Sequence, residues 1–264
     1  MSSAGSSRAS TPRENLIRIA AVGDVHFGTD SAGTMKAAFE DLSVRADLLL
    51  LAGDFTRHGD PAEAEVFARE LRSATVDKIA VLGNHDYHLD AQDEIREIME
   101  RSGVRVLEGE ATTVEVNGGR VAVAGTKGFG GGFAGANGSD FGEPEMKAFI
   151  RHSMDLANGL EAALASAEGD MRVALLHYAP VRDTLRGERS EIFPFLGSYL
   201  LAEAIDRTGA DLVLHGHAHV GSERGVTSSG INVRNVAMSV IRRPYTLIAF
   251  ENGHVVEPRS ESGD

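Results

Sequence analysis

The chain contains 264 residues with a formal net charge of −13 and no cysteine, which excludes disulfide bonds and thiolate metal ligands. A chain of this size can bury most of its surface without disulfides, and its acidic charge disfavours tight nonspecific binding to duplex nucleic acid, where Lys and Arg must neutralise phosphates. No apolar run approaches the roughly 20 residues of a membrane-spanning helix, so we expect a cytoplasmic protein without a membrane or stable nucleic-acid partner.

The N-terminal part of the chain predicts alternating strands and helices. Three short segments are apolar on both faces, as in buried parallel strands: 16–22, 48–52 and 79–82. Helical patterns accompany them, with apolar residues at 35, 38, 39 and 42, a Pro-containing start at 60–63, and an apolar stripe in 90–101. This order predicts a parallel, doubly wound sheet that is covered on both faces.

The rest of the chain predicts a second set of strands, at 104–107, 112–116, 120–124, 173–176, 212–214, 232–237 and 245–250. Asn117-Gly118-Gly119 predicts a hairpin turn, and helices are expected at 143–168 and near 197–207. Glycine-rich segment 127–142, with its run Gly128–Gly132, predicts a mobile loop, either a flap near an active site or an inert surface loop. We expect two packed sheets in a single domain of residues 15–257, with disordered tails at 1–14 and 258–264.

Three predicted strands of the first set end in the same way, with a glycine followed by a residue that offers an oxygen ligand. These pairs are Gly23-Asp24, Gly53-Asp54 and Gly83-Asn84, spaced thirty positions apart. That spacing is about one βαβ unit, so a parallel sheet would carry the three side chains to its carboxyl edge, where α/β folds place ligands. Loop capping by Asp and Asn is the alternative for each residue taken alone.

Histidines also occur just after predicted strands. His26 comes two positions after Asp24, His177 follows a predicted strand, and the segment 215–219 reads His-Gly-His-Ala-His. On an extended segment His217 and His219 point to one side. Oxygen and imidazole ligands without thiolate favour manganese, iron or zinc. Asp54 could bridge two such ions because a carboxylate has two oxygens, and paired ions are a known device for phosphate-ester hydrolysis.

Five sequence blocks resemble the motif series of calcineurin-like metallophosphoesterases, in the order of that family. They are Gly23-Asp24-Val25-His26, Gly53-Asp54, Gly83-Asn84-His85-Asp86, His177 and Gly216-His217-Ala218-His219. The resemblance implies a four-layer α/β/β/α sandwich of two mixed sheets flanked by helices. It also implies two metal sites that share one carboxylate: Asp24, His26, Asp54 and His219 at the first, and Asp54, Asn84, His177 and His217 at the second.

By the same resemblance, the protein is a metal-dependent phosphoric ester hydrolase that acts on a small phosphorylated substrate. A metal-bridging hydroxide attacks phosphorus, and His85 protonates the leaving oxygen or stabilises charge on the phosphoryl group. The ions would generate hydroxide near neutral pH and neutralise charge on the phosphate oxygens. His215 is not a ligand in the family motif, so we expect it to support a ligand or to be structural.

The sequence of the loop after Asp54 helps to predict the class of substrate. Protein serine/threonine phosphatases of the family carry Gly-Asp-x-Val-Asp-Arg-Gly, whereas this chain has Arg57 at the position of their second Asp and His58 at the position of their phosphate-binding Arg. The motifs look more like those of bacterial phosphodiesterases, including the class III cyclic nucleotide enzymes, which predicts phosphodiester hydrolysis. The alternatives are a phosphomonoesterase or nucleotidase, then a nuclease, and then a non-catalytic scaffold. Arg57 and His58 could contact substrate phosphate or belong to a solvated loop.

Overall fold

The computed structural model describes residues 16–251 and 253–256, so the predicted tails lie outside the described residues. The strands are β1 (Ile17–Val22), β2 (Leu48–Ala52), β3 (Asp77–Val81), β4 (Val104–Val106), β5 (Glu110–Val116), β6 (Gly119–Thr126), β7 (Gly132–Phe133), β8 (Ala136–Asn137), β9 (Met171–Leu176), β10 (Leu212–His215), β11 (Arg224–Val226), β12 (Asn232–Asn235), β13 (Thr246–Glu251) and β14 (His254–Val256). The helices are α1 (Lys36–Arg45), α2 (Pro61–Leu71), α3 (Gln92–Arg101), α4 (Pro144–Ser166), α5 (Phe193–Leu196), α6 (Tyr199–Thr208) and α7 (Met238–Ile241), with 3-10 turns at His85–Tyr87, Arg182–Leu185 and Ser190–Ile192.

The strands form two mixed six-stranded sheets, which confirms the predicted fold class. The first sheet has the order β14-β13-β1-β2-β3-β4 and the second the order β11-β12-β10-β9-β6-β5. The predicted strands at 104–107 and 245–250 were assigned to the second set, which was wrong. They correspond to β4 and β13, and both belong to the first sheet. β4 extends the parallel ladder next to β3, and β13 returns antiparallel to β1 with Ile17 opposite Phe250. Apolar periodicity identifies a strand but does not show which sheet it joins.

The core has three layers that follow from the alternation of side chains along each strand. In β1, Ile17 and Ile19 pack between the two sheets, whereas Ala20 and Val22 pack against the helices that cover the first sheet. Helices α4 and α6 cover the outer face of the second sheet through residues such as Leu160. The central strands of each sheet are therefore buried on both faces, as the continuous apolar runs predicted. Within the described part of the chain, no helix is long and apolar enough to span a membrane.

Part of the glycine-rich segment, for which the sequence predicts a mobile loop, packs against neighbouring elements. It contains the two short strands β7 and β8, and residues 130–133 are buried. The N–H of Gly131 donates to the carbonyl of Pro194 at 2.7 Å, and the N–H of Gly132 donates to that of Gly197 at 2.9 Å. A Cβ on Gly130 would lie 2.5 Å from the carbonyl oxygen of Pro194, so glycine lets this segment pack directly on the backbone of α5.

Candidate metal centre

Ligand-type side chains from both sheets meet at the carboxyl ends of their parallel strands. Asp24, Asp54 and Asn84 follow β1, β2 and β3, and His177 follows β9 of the other sheet. Two groups have ligand atoms that all lie within 4.8 Å of one another: Asp24, His26, Asp54 and His219 in the first, and Asp54, His177 and His217 in the second. The two groups contain six of the seven ligands that the family resemblance implies, all except Asn84, with Asp54 common to both.

The first group is compact enough to surround a single ion. The Nε2 atom of His26 lies 3.3 Å from that of His219 and 3.8 Å from Oδ2 of Asp54. The Nε2 atom of His219 lies 2.9 Å from Oδ1 of Asp24. Because a cation can lie between such nitrogen and carboxylate atoms, this arrangement fits a transition-metal ion with nitrogen and oxygen ligands.

In the second group, hydrogen bonds decide which imidazole nitrogens are available to a metal. The Nδ1–H of His177 donates to the carbonyl of Ala52 at 2.8 Å, which leaves the lone pair on Nε2. That Nε2 lies 2.9 Å from Oδ1 of Asn84 and 3.4 Å from Oδ1 of Asp54. In this tautomer the Nε2 lone pair of His177 and the side-chain oxygens of Asn84 and Asp54 converge, an arrangement that a cation between them would stabilise. Similarly, the Nε2–H of His217 donates to the carbonyl of Phe195 at 3.2 Å and leaves Nδ1 available.

Asp54 is the residue whose surroundings fit a metal best. Its Oδ1 accepts the backbone N–H of His85 at 2.8 Å, whereas its Oδ2 is buried without a hydrogen-bond partner among the described residues. An unpartnered buried carboxylate oxygen is costly unless a cation compensates it. Burial, together with the charges of Asp24 and Asp86, raises the pKa of Asp54 well above its usual value. A bound cation would act in the opposite direction and keep the carboxylate ionised.

Several neighbouring groups favour the protonation state that binds a metal. Burial acts to raise the pKa of Asp24, but the hydrogen bond from His219 and the charges of His177 and His219 bring it down to about 2. Burial lowers the pKa of His26 and of His217 to about 4 and that of His177 well below its usual value. Neutral imidazole and ionised carboxylate are the forms that bind metals.

The backbone at this edge turns sharply to aim these side chains. Asp24, His26, Asp54 and His217 have φ values of 56°, 45°, 55° and 69°, in the left-handed region that non-glycine residues rarely adopt. Close contacts also require the glycine that precedes Asn84. A Cβ on Gly83 would lie 2.1 Å from Oδ1 of Asp54, so a side chain there would displace the shared carboxylate.

His85 lies beside the first group without belonging to either. Its Nδ1–H donates to the carbonyl of Arg57 at 2.7 Å, which fixes the ring and leaves Nε2 for another partner. Its ring centroid is 4.5 Å from that of His26. His85 therefore lies directly after the candidate ligand Asn84 and beside the first group.

The other residues singled out in the sequence make local contacts. Nη1 of Arg57 pairs with Asp30 at 3.2 Å, and Nδ1 of His58 lies 2.9 Å from Oε1 of Glu63. His215 is fully buried, where its Nδ1–H donates to the carbonyl of Gly216 and its Nε2 lies 2.8 Å from the hydroxyl of Thr184. It therefore has a structural role in holding the segment that carries His217.

Sequence reasoning missed two charged residues beside the centre. Asp86 accepts hydrogen bonds from the backbone N–H groups of Gly83 at 2.9 Å and Thr56 at 3.0 Å, so it joins the loops that carry Asp54 and Asn84. Its place in the Gly83–Asp86 block was the available signal. Lys127, just after β6, is buried with its Nζ 4.9 to 5.4 Å from three aromatic ring centroids, those of Tyr87, Phe129 and Tyr178. No pattern in the sequence indicated this placement.

Comparison with known families gives one match, which covers most of the chain. The sequence profile described as calcineurin-like phosphoesterase matches residues 17–221. No curated protein matches the chain. The matched region contains the strand ends and all seven candidate ligands described above, together with His85.

Solved structures of similar fold are distant in sequence. Phosphopantetheinyl hydrolase from Mycobacterium tuberculosis has a TM-score of 0.64 and 16% identity, covering 95% of this chain and 99% of its own. GAP50, described as the anchor in the inner membrane complex of Plasmodium, has a TM-score of 0.57 and 13% identity, covering 91% and 83%. The protein TT1561 of Thermus thermophilus has a TM-score of 0.53 and 17% identity, covering 89% and 99%. These likenesses concern the fold.

Proposed function

Because this chain belongs to the calcineurin-like phosphoesterase family, we propose that it hydrolyses small phosphate esters, with a preference for diesters, at a centre of two metal ions. One observation carries the proposal: two groups of ligand atoms share Asp54, whose Oδ2 is buried without a hydrogen-bond partner among the described residues. A single ion would need only one such group, whereas a carboxylate common to two groups suits a pair of ions.

Asp24, His26, Asp54 and His219 would hold one ion, and Asp54, Asn84, His177 and His217 the other. The nitrogen and oxygen ligands fit manganese, iron or zinc. When bound, such a pair supplies a hydroxide nucleophile near neutral pH and neutralises charge on the phosphate oxygens. The protein contributes orientation, because the carbonyl groups of Ala52 and Phe195 hold the rings of His177 and His217 in the tautomers needed for ligation.

His85 would serve as the proton donor to the leaving oxygen. The hydrogen bond from its Nδ1 to the carbonyl of Arg57 orients the ring and reserves Nε2 for the substrate. Its backbone N–H donates to Oδ1 of Asp54 at 2.8 Å, so this hydrogen bond ties the turn that carries the donor to the loop that carries the shared carboxylate. A proton transferred at this position would neutralise the negative charge that builds on the departing alcohol.

The preference for diesters rests on the loop that follows Asp54. A phosphate monoester carries a second negative charge, which the protein-phosphatase branch meets with an arginine. In this chain His58 occupies that position and contacts Glu63, while Arg57 is paired with Asp30. Both side chains have acidic partners, which disfavours a clamp on a dianionic phosphoryl group, whereas a diester does not need one.

We expect bis(4-nitrophenyl) phosphate to be hydrolysed with a kcat/KM about 10- to 100-fold higher than that of 4-nitrophenyl phosphate, each corrected for its uncatalysed rate. A missing charge-assisted hydrogen bond of about 1.5–3 kcal/mol would give a difference of this size. Parallel assays with added Mn²⁺ and with a chelator would measure it. A higher corrected value for the monoester would favour a phosphomonoesterase or nucleotidase instead.

A further inference from the structure

An apolar cavity lies beside the candidate metal centre, between the first turns of α4 and the short helix α5. Its volume is about 340 Å³, and its walls include Glu145, Met146, Phe149, Ile150, Pro194 and Phe195. Gly131 and Gly138 of the glycine-rich segment also line it, and a Cβ on Gly138 would lie 2.5 Å from Cδ1 of Ile150 in the cavity wall. A cavity of this size lies within the range of small-molecule sites.

Phe195 connects this cavity to the metal centre. Its carbonyl accepts the hydrogen bond from His217, a candidate ligand, and its side chain lines the cavity. A row of aromatic rings makes a second connection. The ring of Tyr178 lies 4.3 Å from that of His217, and Phe129 contacts both Tyr178 at 5.7 Å and Phe149 at 4.9 Å between centroids. Aromatic rings thus connect His217 to the cavity lining, and Nζ of Lys127 lies over two of them, those of Phe129 and Tyr178.

The character of the lining indicates what the cavity binds. Phe195 is 62% exposed and Met146 is 48% exposed, and clustered apolar exposure of this kind marks a binding surface. Among the described residues, Glu145 is the only charged one in the lining, and its negative charge would repel a phosphate. The cavity therefore suits an uncharged apolar group whose attached phosphate lies elsewhere, at the cations of the neighbouring centre.

We propose that this cavity binds the apolar part of one ester group of the substrate, so that the preferred substrates are phosphoesters of alcohols with an alkyl or aryl body. This inference rests on the proposed function, because the phosphate would be held at the metal centre while the apolar group fills the cavity. Met146, Phe149 and Phe195 would then determine specificity without taking part in the chemistry. They would act through the area that they remove from water on binding.

A series of 4-nitrophenyl alkyl phosphodiesters with methyl, butyl and octyl groups would test the proposal. We expect kcat/KM of the Mn²⁺-loaded protein to rise about three- to fourfold per added methylene until the cavity is full. Calorimetric titration with octylphosphonate and methylphosphonate gives a second measurement that needs no turnover. Octylphosphonate should bind more tightly by a similar factor per methylene.

Met146→Gln and Phe195→Ser should flatten the dependence on chain length, relative to the methyl ester in the same variant. Val44→Gln is the matched control, because Val44 is an exposed apolar residue on α1 and does not line the cavity. This control should keep the full dependence. Metal content and the unfolding temperature of each variant would show that the fold and the centre are intact.

The outcomes separate the two proposals. Equal rates for methyl and octyl esters, with equal binding of the two phosphonates, would overturn the cavity assignment and leave the phosphodiesterase intact. If the protein with two bound metal ions hydrolysed none of the esters but still bound octylphosphonate more tightly than methylphosphonate, the proposed function would be overturned. The assignment of the cavity to an apolar group would then be supported. Dissociation of a dimer by Met146→Gln, with unchanged chain-length dependence, would assign this face to a second copy of the chain and overturn the inference.

Discussion

Replacement of Asp54 by alanine is expected to remove both metal ions and to reduce phosphodiester hydrolysis by about 10³-fold or more. Asp54 is common to both groups of ligand atoms, and its buried Oδ2 has no hydrogen-bond partner among the described residues. Catalytic metal ions supply several kcal/mol of transition-state stabilisation, and each 1.36 kcal/mol corresponds to about a tenfold change in rate. Elemental analysis after gel filtration would report the metal stoichiometry, and kcat/KM would report the rate.

Two further aspartates provide the comparison. Asp24 belongs to the first group alone, so Asp24→Ala should empty mainly one site. Asp47 immediately precedes β2, at the opposite end of that strand from Asp54, and it pairs with Arg18 at 2.8 Å. Asp47→Ala should retain two equivalents of metal. Full dimetal occupancy in Asp54→Ala would contradict the bridging role.

Replacement of His85 by alanine or asparagine should slow esters with an aliphatic leaving alcohol about 10²–10⁴-fold, while nitrophenyl esters lose far less. This range is the usual contribution of general acid catalysis, some 3–5 kcal/mol of barrier. An aliphatic alkoxide is too basic to leave without a proton, whereas nitrophenolate departs readily. Comparison of kcat/KM for the two ester classes in wild type and variant would measure the difference.

Metal content is the necessary control for His85. The group that contacts Asp54 is the backbone N–H, which either substitution preserves, so two equivalents of metal should remain. An equal loss on both ester classes would assign His85 to charge stabilisation on the phosphoryl oxygens. Loss of metal would mean that His85 supports the ligands directly.

Much of the candidate centre could be predicted because its signals are local. Asp24, Asp54 and Asn84 each follow a buried strand and a glycine, and parallel strands place such residues at one edge by geometry. His217 and His219 were expected on one side of an extended segment. Both do occur in the ligand groups, although His217 has a left-handed backbone that simple alternation does not describe.

Features that depend on long-range packing were not predictable from the sequence. The pairing of β13 with β1, the burial of the glycine segment and the aromatic surroundings of Lys127 each depend on contacts between distant parts of the chain. Glycine composition alone suggested a mobile loop. The same glycines instead permit close backbone packing, because a residue without Cβ serves both purposes. Only the three-dimensional structure distinguishes a glycine-rich loop from a glycine-rich segment that packs closely.

The left-handed turns at Asp24, His26, Asp54 and His217 affect how this protein can evolve. A left-handed backbone conformation at a non-glycine residue reduces the free energy of unfolding by on the order of 1–3 kcal/mol, and by somewhat less at aspartate. The orientation of these side chains therefore lowers the stability of the fold. A change to glycine at any of them would relieve the strain and delete a ligand in one step. A lineage that used the fold only as a scaffold would gain stability from such changes. None of the four positions is glycine in this chain, so it keeps the strained turns together with the candidate ligand side chains.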